Sequence, residues 1–185
     1  MDLLAAIQQR RSIRKYKKDD VPEQILREML EAARLAPSWA NTQVSRWIVV
    51  KDEAIKQALA DTLTPTNPGR KAMIEAPYVL CLAAQKGVAG FYKNEAATDK
   101  GDWFMYDAGI AMEHLVLAAT GFGLGTVHIG LFDAKKAEEV LKIPDGFAIV
   151  AMTPVGYFEE LPAPRPRKPL KEIVFLNNFG EPYLT

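Results

Sequence analysis

Three arginines and a serine near the N-terminus form the densest group of side chains that could bind a ligand. Arg10, Arg11, Ser12 and Arg14 fall within five positions, directly after a run with a helical pattern. A guanidinium group is a rigid fork of donors that matches phosphate oxygens, and the serine hydroxyl adds one more donor. The stretch therefore fits a phosphate site. The alternative is a solvated basic face, because six of the nine positions from Arg10 to Lys18 are Lys or Arg.

A second basic cluster follows the last apolar strand pattern, and it contains Arg165, Arg167 and Lys168. Four prolines between residues 162 and 169 predict an extended chain. Apolar residues after this segment require burial, so we expect residues 160–185 to form an arm that packs on a partner subunit. A disordered linker or a proline-rich ligand is the alternative. Both basic clusters are explained together if they converge on one phosphate.

The segment from Ala36 to Gln43 has neither a helical nor a strand period. Its Asn41 and Gln43 amides can pair with donors and acceptors on a heterocycle, which is typical of a binding loop. A simple turn is the alternative, because Pro, Ser and Asn are common turn residues.

Charge and composition limit the class of protein. The 185 residues include 23 Lys or Arg and 23 Asp or Glu, so the formal net charge is zero and a protein that acts on nucleic acid or an anionic membrane is disfavoured. The single cysteine, Cys81, lies in an apolar strand pattern and is predicted to be a core residue. His114 has no metal partner four residues on, and we predict no metal site. With no signal-peptide pattern and no long apolar run, we expect a cytoplasmic protein.

Hydrophobic periodicity predicts alternating helices and strands in one α/β-patterned domain. Asp2 and Asp133 are placed to cap helices, and the glycine-rich turn after Thr120 is predicted to end a buried helix rather than to bind a dinucleotide. The buried helix is apolar on nearly every side, which indicates packing against a second subunit. The predicted helices are 2–9, one that opens at 21–22, 54–63, 102–120 and 133–141, and the predicted strands are 47–50, 78–84, 126–129 and 147–155.

The motifs together resemble the FMN-dependent nitroreductase family. The resemblance rests on Arg10 to Arg14, on Ala36-Pro37-Ser38 with Asn41 and Gln43, on the Gly130 turn, and on the segment 164–170. It implies one α+β domain over residues 1–185, a three-layer sandwich with a mainly antiparallel sheet wrapped by helices. It also implies a homodimer that exchanges its C-terminal arms and binds two FMN molecules at the interface.

The resemblance further implies a role for each motif. Arg10, Ser12 and Arg14 would hold the FMN phosphate with Arg165 and Arg167, and Arg11 would contribute chiefly through its backbone. The other subunit would supply the contacts of Pro37, Ser38, Trp39 and Asn41 to the flavin, and the backbone of Ile129 and Gly130 would lie beside its N5 edge. Phe91, Tyr92, Trp103 and Phe104 are predicted to line the substrate pocket.

The implied reaction is a ping-pong cycle in which NADH or NADPH gives a hydride to flavin N5 and a nitroaromatic or quinone then enters the same pocket. No catalytic side chain is required, because the cofactor carries the chemistry. The alternatives are other flavin chemistry on the same fold, namely dehalogenation, enone reduction or fragmentation of FMN, and a flavin-binding sensor without turnover.

Overall fold

The computed structural model describes residues 1–183, which form six helices and six strands within that range. None of these helices is both long and apolar enough to cross a bilayer. The helices are α1 (Leu3–Gln9), α2 (Glu23–Arg34), α3 (Glu53–Ala60), α4 (Gly69–Glu75), α5 (Phe104–Gly121) and α6 (Ala134–Leu141). The strands are β1 (Ser45–Val50), β2 (Tyr78–Gln85), β3 (Phe91–Tyr92), β4 (Glu95–Ala96), β5 (Gly125–Thr126) and β6 (Phe147–Gly156).

The centre of the molecule is a four-stranded antiparallel sheet with the order β1-β2-β6-β5. Successive side chains of a strand point to opposite faces, and in β2 both faces are apolar. Leu80 and Leu82 pack with α2 and α5, whereas Val79 and Cys81 pack with residues of α3, α4 and α6. The fold is therefore α+β with three layers, as predicted.

The predicted helix ends are confirmed by their capping contacts. The Asp2 and Asp133 carboxylates accept hydrogen bonds from the amides of Ala5 and Lys136. At the end of α5, Gly123 has φ +75°, and the amide of Leu124 donates to the Ala119 carbonyl at 2.9 Å. This is the glycine C-cap expected there, and it rules out a dinucleotide turn, which requires a helix after the glycines.

The predicted strand 126–129 is only partly formed. The regular ladder of β5 covers Gly125–Thr126, and Ile129 pairs with Met152 as an isolated bridge in the same register. That register places Val127 opposite Pro154, whose nitrogen has no hydrogen to donate. Pro154 therefore interrupts the ladder, and the prediction was wrong for residues 127 and 128.

Two segments contain regular structure that the sequence pattern did not indicate. Residues 64–69 include two prolines and a glycine, which predict a loop, and they lead directly into α4. Gly69, the first residue of α4, lies against the side chain of Ile129. The polar stretch 85–101 contains a short hairpin of β3 and β4. Its turn residues, Lys93 and Asn94, both have positive φ, as a two-residue hairpin turn requires.

Candidate functional site

The basic N-terminal stretch is held along the edge of the sheet as an extended chain. Ser12 bridges to Thr126 in parallel, and the Ile13 amide donates to the Thr126 carbonyl at 2.8 Å. Ile13 is buried, and a Cβ at Gly125 would approach its side chain to 2.7 Å, so the contact needs glycine. Because side chains alternate along an extended chain, burial of Ile13 directs its neighbours Ser12 and Arg14 outward.

The two basic clusters meet at one cavity of about 500 Å³. Arg10, Ser12 and Arg14 line it from the N-terminal stretch, and Arg165 and Arg167 line it from the C-terminal arm. More than 150 residues of sequence separate the two groups, so only the fold brings them together. No carboxylate lines this cavity, and within residues 1–183 none of its guanidinium groups forms an ion pair with a carboxylate. The cavity is therefore suited to a multiply charged anion.

Arg11 differs from its neighbours in the direction of its side chain. Its Nη1 donates to the carbonyl of Gln8 at 2.7 Å and to that of Arg10 at 2.9 Å. The side chain thus caps the C-terminal end of α1, where cations are favoured. Arg11 also lines the arginine-lined cavity, and its contribution through the backbone stays a prediction.

The loop around Trp39–Asn41 forms a 3-10 turn with an unusual backbone. Ala40, Asn41 and Gln43 have φ values of 43°, 58° and 51°. Left-handed conformations cost about 1–2 kcal/mol for each residue other than glycine, so neighbouring contacts must stabilise the loop. One of these contacts is a hydrogen bond of 3.0 Å from the Gln43 amide to Oγ of Ser38. Strain of this kind is concentrated at functional sites.

Asp107 is the site residue that sequence reasoning missed. It lies in the first turn of α5 and is 3% exposed. The Trp39 amide donates to both of its carboxylate oxygens, at 3.0 and 3.1 Å. Burial raises the pKa of the Asp107 carboxyl, and the hydrogen bond from Trp39 opposes that shift. No local pattern could identify this residue, because its partner lies 68 positions earlier in the chain.

Asp107 and the loop also line a second cavity of about 450 Å³. Pro37, Ser38 and Gln43 contribute to this cavity, and none of them lines the arginine-lined one. Within one chain, the loop and the arginine-lined cavity are thus separate surfaces. The prediction that the loop serves the ligand of another subunit is compatible with this arrangement.

Ile129 and Gly130 differ in their surroundings: the backbone of Ile129 is hydrogen-bonded to β6, whereas Gly130 is exposed. Ile129 exchanges two hydrogen bonds with Met152, at 2.9 and 3.0 Å, so its own amide and carbonyl are occupied. Gly130 is exposed, and a Cβ at that position would meet no atom within 4 Å. Of the two predicted flavin-edge residues, Gly130 therefore offers the accessible backbone.

The four predicted pocket residues lie on the hairpin and at the start of α5, and none lines either cavity. Tyr92 is 71% exposed near the hairpin tip, and Phe91 is half-buried. Trp103 supports the base of the hairpin, because its Nε1 donates to Oγ1 of Thr98 at 3.0 Å. Phe104 packs against the core.

The two other reactive residue types have structural positions. Cys81 is fully buried, and burial raises the pKa of its thiol to about 12, so it is not a nucleophile. His114 Nδ1 lies 3.2 Å from the carbonyl oxygen of Ala32 and joins α5 to α2. Both residues were predicted to be structural.

A three-layer α+β sandwich with an arginine-lined cavity at its sheet edge is suited to binding an anionic ligand. The comparison with known families specifies the class further. Residues 7–157 match the model described as the nitroreductase family. The chain belongs to that family, and it is an oxidoreductase.

Individual relatives cover nearly the whole chain. It is 34% identical to "NADH dehydrogenase" of Thermus thermophilus, with 94% of this chain and 95% of the relative covered. It is 28% identical to "FMN reductase [NAD(P)H]" of Bacillus subtilis, with 99% and 75% covered. Among solved structures, an FMN-dependent nitroreductase of Clostridium difficile superposes with a TM-score of 0.78 at 27% identity, and the match covers 95% of this chain and 99% of that one.

Proposed function

We propose that this chain is an FMN enzyme that uses NAD(P)H to reduce flat, electron-poor acceptors such as nitroaromatics and quinones. FMN is the cofactor and NADH or NADPH the electron donor, in keeping with the named relatives. The active species in this proposal is a homodimer with two sites. The observation that carries the proposal is the cavity where both basic clusters converge.

The cavity fits the phosphate of FMN in charge and in donors. Arg10, Arg14, Arg165 and Arg167 supply guanidinium groups, and Ser12 supplies a hydroxyl. The formal charge of these side chains exceeds that of one phosphate dianion, and no acid lines the cavity to compete for them. Charge-assisted hydrogen bonds of this type are about twice as strong as neutral ones.

The ring system of FMN requires a flat surface beside the phosphate cavity. We propose that Gly130 contributes to this surface, because it is exposed and a Cβ there would meet no atom within 4 Å. We propose that Pro37, Ser38, Trp39 and Asn41 of the second subunit cover the other side of the ring. The separation of the loop from the phosphate cavity within one chain supports this assignment.

The dimer is supported by the apolar surface that a single chain leaves exposed. Leu3, Leu4 and Ile7 of α1 are exposed, and so are Leu170 and Phe179 of the arm. An apolar cavity of about 810 Å³ lies between α1, α2 and α5. Contiguous apolar surface of this kind indicates a protein interface.

FMN supplies hydride transfer when it is bound, from the nicotinamide donor to the second substrate. The protein's own residues bind, orient and shield the reactants. The hairpin of β3 and β4 presents Phe91 and Tyr92 as aromatic surface for a planar acceptor. No nucleophilic or metal-bound group is assigned a role in this account.

The test is an anaerobic absorption experiment on the purified protein reconstituted with FMN. We expect the visible flavin absorbance to fall when NADH or NADPH is added and to return when a nitroaromatic or quinone is added. Absorbance that never responds to the nicotinamide donor would contradict the reductase and favour a flavin-binding sensor. Absorbance that falls but returns only with a halogenated or enone substrate would indicate the corresponding alternative chemistry.

A further inference from the structure

Asp107 is a buried carboxylate whose two oxygens are both directed at one backbone amide. Its side chain accepts from the Trp39 amide at 3.0 and 3.1 Å. Asp107 lines the cavity of about 450 Å³ beside the loop, but it is 3% exposed and its hydrogen bonds are to the loop backbone. Its function therefore concerns the loop that it holds.

The contact acts on the most strained backbone of the loop. Trp39 is followed directly by Ala40 and Asn41, both in left-handed conformations. The Trp39 amide is thus the last backbone donor before the strained residues, and Asp107 fixes its position and direction. Because non-glycine residues leave this conformation when their surroundings permit, the fixed amide restrains the loop.

The same face of α5 holds Trp39 in a second way. Trp103 precedes Asp107 by four residues, so both lie on one side of the helix. The rings of Trp39 and Trp103 have centroids 5.0 Å apart, and Trp103 also contacts Tyr106 edge-on at 5.3 Å. The first turn of α5 therefore holds Trp39 by its side chain and by its backbone.

From these contacts we infer that Asp107 is a positioning residue that holds the loop 38–43 in the conformation that receives the flavin. This inference rests on the proposed function, in which that loop covers the flavin of the second subunit. Asp107 acts through the Trp39 amide. Its buried polar contact then serves flavin binding.

The test measures FMN affinity and thermal stability for Asp107→Ala and Asp107→Asn. Asp107→Ala removes both acceptor oxygens, and we expect the FMN dissociation constant to rise about tenfold or more, since a charge-assisted hydrogen bond is lost. Asp107→Asn keeps the volume and one acceptor oxygen, and we expect it to recover most of the affinity. The visible circular dichroism of bound FMN should change in the alanine variant even when FMN is saturating.

Leu59→Ala is the matched control for general destabilisation. Leu59 is fully buried in α3 on the opposite face of the sheet, so its truncation lowers stability without touching the loop. We expect this control to melt earlier than wild type and to bind FMN within twofold of it. Equal weakening of FMN binding by Leu59→Ala and Asp107→Ala would overturn the inference, because the effect would then follow stability alone.

Three other results are decisive. FMN affinity within twofold of wild type in a folded Asp107→Ala variant would overturn the inference. If the alanine variant does not fold, Asp107→Leu decides, because leucine fills a similar volume without an acceptor oxygen for the Trp39 amide. A dissociation constant and a flavin dichroism there equal to those of Asp107→Asn would contradict a positioning role. If wild type itself fails to bind FMN, the proposed function fails, and this result is distinct from the others.

Discussion

Guanidinium groups that have no acidic partner are the residue-scale basis of the proposed phosphate site. Arg14 and Arg167 come from opposite ends of the chain, and their only hydrogen bonds within residues 1–183 are to nearby backbone carbonyls. Arginines that serve stability usually pair with acids on the same surface, as Arg27 does with Glu23. The absence of such pairing around the cavity leaves these side chains available to an anion.

Replacing one of these arginines is expected to weaken FMN binding. Arg14→Ala or Arg167→Ala each removes a hydrogen bond to a charged group, which is worth about 1.5–3 kcal/mol. We therefore predict an increase of roughly 10- to 150-fold in the FMN dissociation constant, measured by quenching of flavin fluorescence. Arg27→Ala is the control, because Arg27 is an exposed arginine on α2 away from the cavity. Unchanged affinity in both cavity variants would refute the phosphate assignment.

Gly130 provides a residue-scale test of the proposed ring surface. A side chain there meets no protein atom within 4 Å, and its φ does not lie in the region that favours glycine. Gly130→Val should therefore fold and melt like wild type, within about 0.5 kcal/mol of its free energy of unfolding. In the proposed site, however, the added methyl groups occupy the space of the flavin edge. We expect at least a tenfold loss of reductase activity, and full activity would show that no ligand approaches this backbone.

At the scale of elements, α5 connects the loop 38–43 with the β3–β4 hairpin. Gly90 shows how tightly the hairpin is attached, because a Cβ there would lie 2.3 Å from Cδ1 of Trp103 and 2.6 Å from the Gly101 carbonyl oxygen. Gly90 also has φ +83°. Both facts require glycine at this position.

The expected effect of Gly90→Ala is a loss of about 1–3 kcal/mol in the free energy of unfolding and faster proteolysis of the hairpin. Gly87→Ala is the control, since Gly87 has a similar φ of +72° but open space where the Cβ would lie. Both variants place alanine at a positive φ, and only Gly90→Ala also clashes with Trp103. The difference between their free energies of unfolding therefore measures the effect of the clash alone. Equal stability of the two in thermal denaturation would contradict the proposed attachment.

The buried Asp107 carboxyl also predicts how the free energy of unfolding depends on pH. Its carboxyl pKa is raised by burial, so the ionised form is less favourable in the folded chain than in the unfolded one. The Asp107 carboxyl has a higher pKa in the folded chain than in the unfolded chain. As the pH rises from the lower of these values through the higher one, wild type therefore loses stability relative to Asp107→Asn. We expect the melting temperature of Asp107→Asn, relative to wild type, to be higher at pH 7 than at pH 4. The opposite trend would contradict the raised pKa.

The success of sequence-based prediction differs between local and distant features. The caps at Asp2 and Asp133 and the core position of Cys81 in an apolar strand were predicted because a few neighbouring residues determine them. The break opposite Pro154 was missed because it depends on which strand pairs with β6. Helix α4 was missed because Pro68 and Gly69 are typical of a turn.

In the candidate site, too, local motifs were predicted from the sequence and contacts between distant residues were not. The arginine motif and the loop were found from local composition, and the structure adds the shared cavity of Arg14 and Arg167. Asp107 could not be found, because nothing in the local sequence of α5 indicates its contact with Trp39, 68 positions earlier in the chain. The roles of Phe91 and Tyr92 stay predictions, since neither lines the arginine-lined cavity or the cavity beside Asp107.

For the whole molecule, the exposed apolar surface is the main evidence for a second subunit. Leu4 is 70% exposed on α1, and Phe179 is 93% exposed on the arm. Burial of apolar surface contributes about 25 cal/mol per Å², so side chains of this size favour association. In the proposed dimer, each flavin site is complete only when the loop 38–43 of the second subunit is present.

A charged substitution at this surface is expected to affect assembly and FMN binding together. Leu4→Glu should reduce the molar mass in light scattering from twice the 20.5 kDa chain mass toward that of one chain, because an unpaired charge would be buried. It should also release FMN. Ile55→Glu is the control, as Ile55 is an exposed apolar residue on α3, away from α1 and the arm. A Leu4→Glu protein that is monomeric and still binds FMN like wild type would contradict a site shared between subunits.

The central claim is that the arginine-lined cavity holds the phosphate of FMN, and a comparison of FMN with riboflavin tests it most directly. The two ligands share the flavin ring and differ in the phosphate, so their dissociation constants isolate its contribution. We predict that wild type binds FMN at least about 100-fold more tightly than riboflavin, and that Arg14→Ala reduces this ratio by weakening FMN alone. Equal affinity for both flavins would contradict the claim, because the cavity would then contribute nothing to cofactor binding.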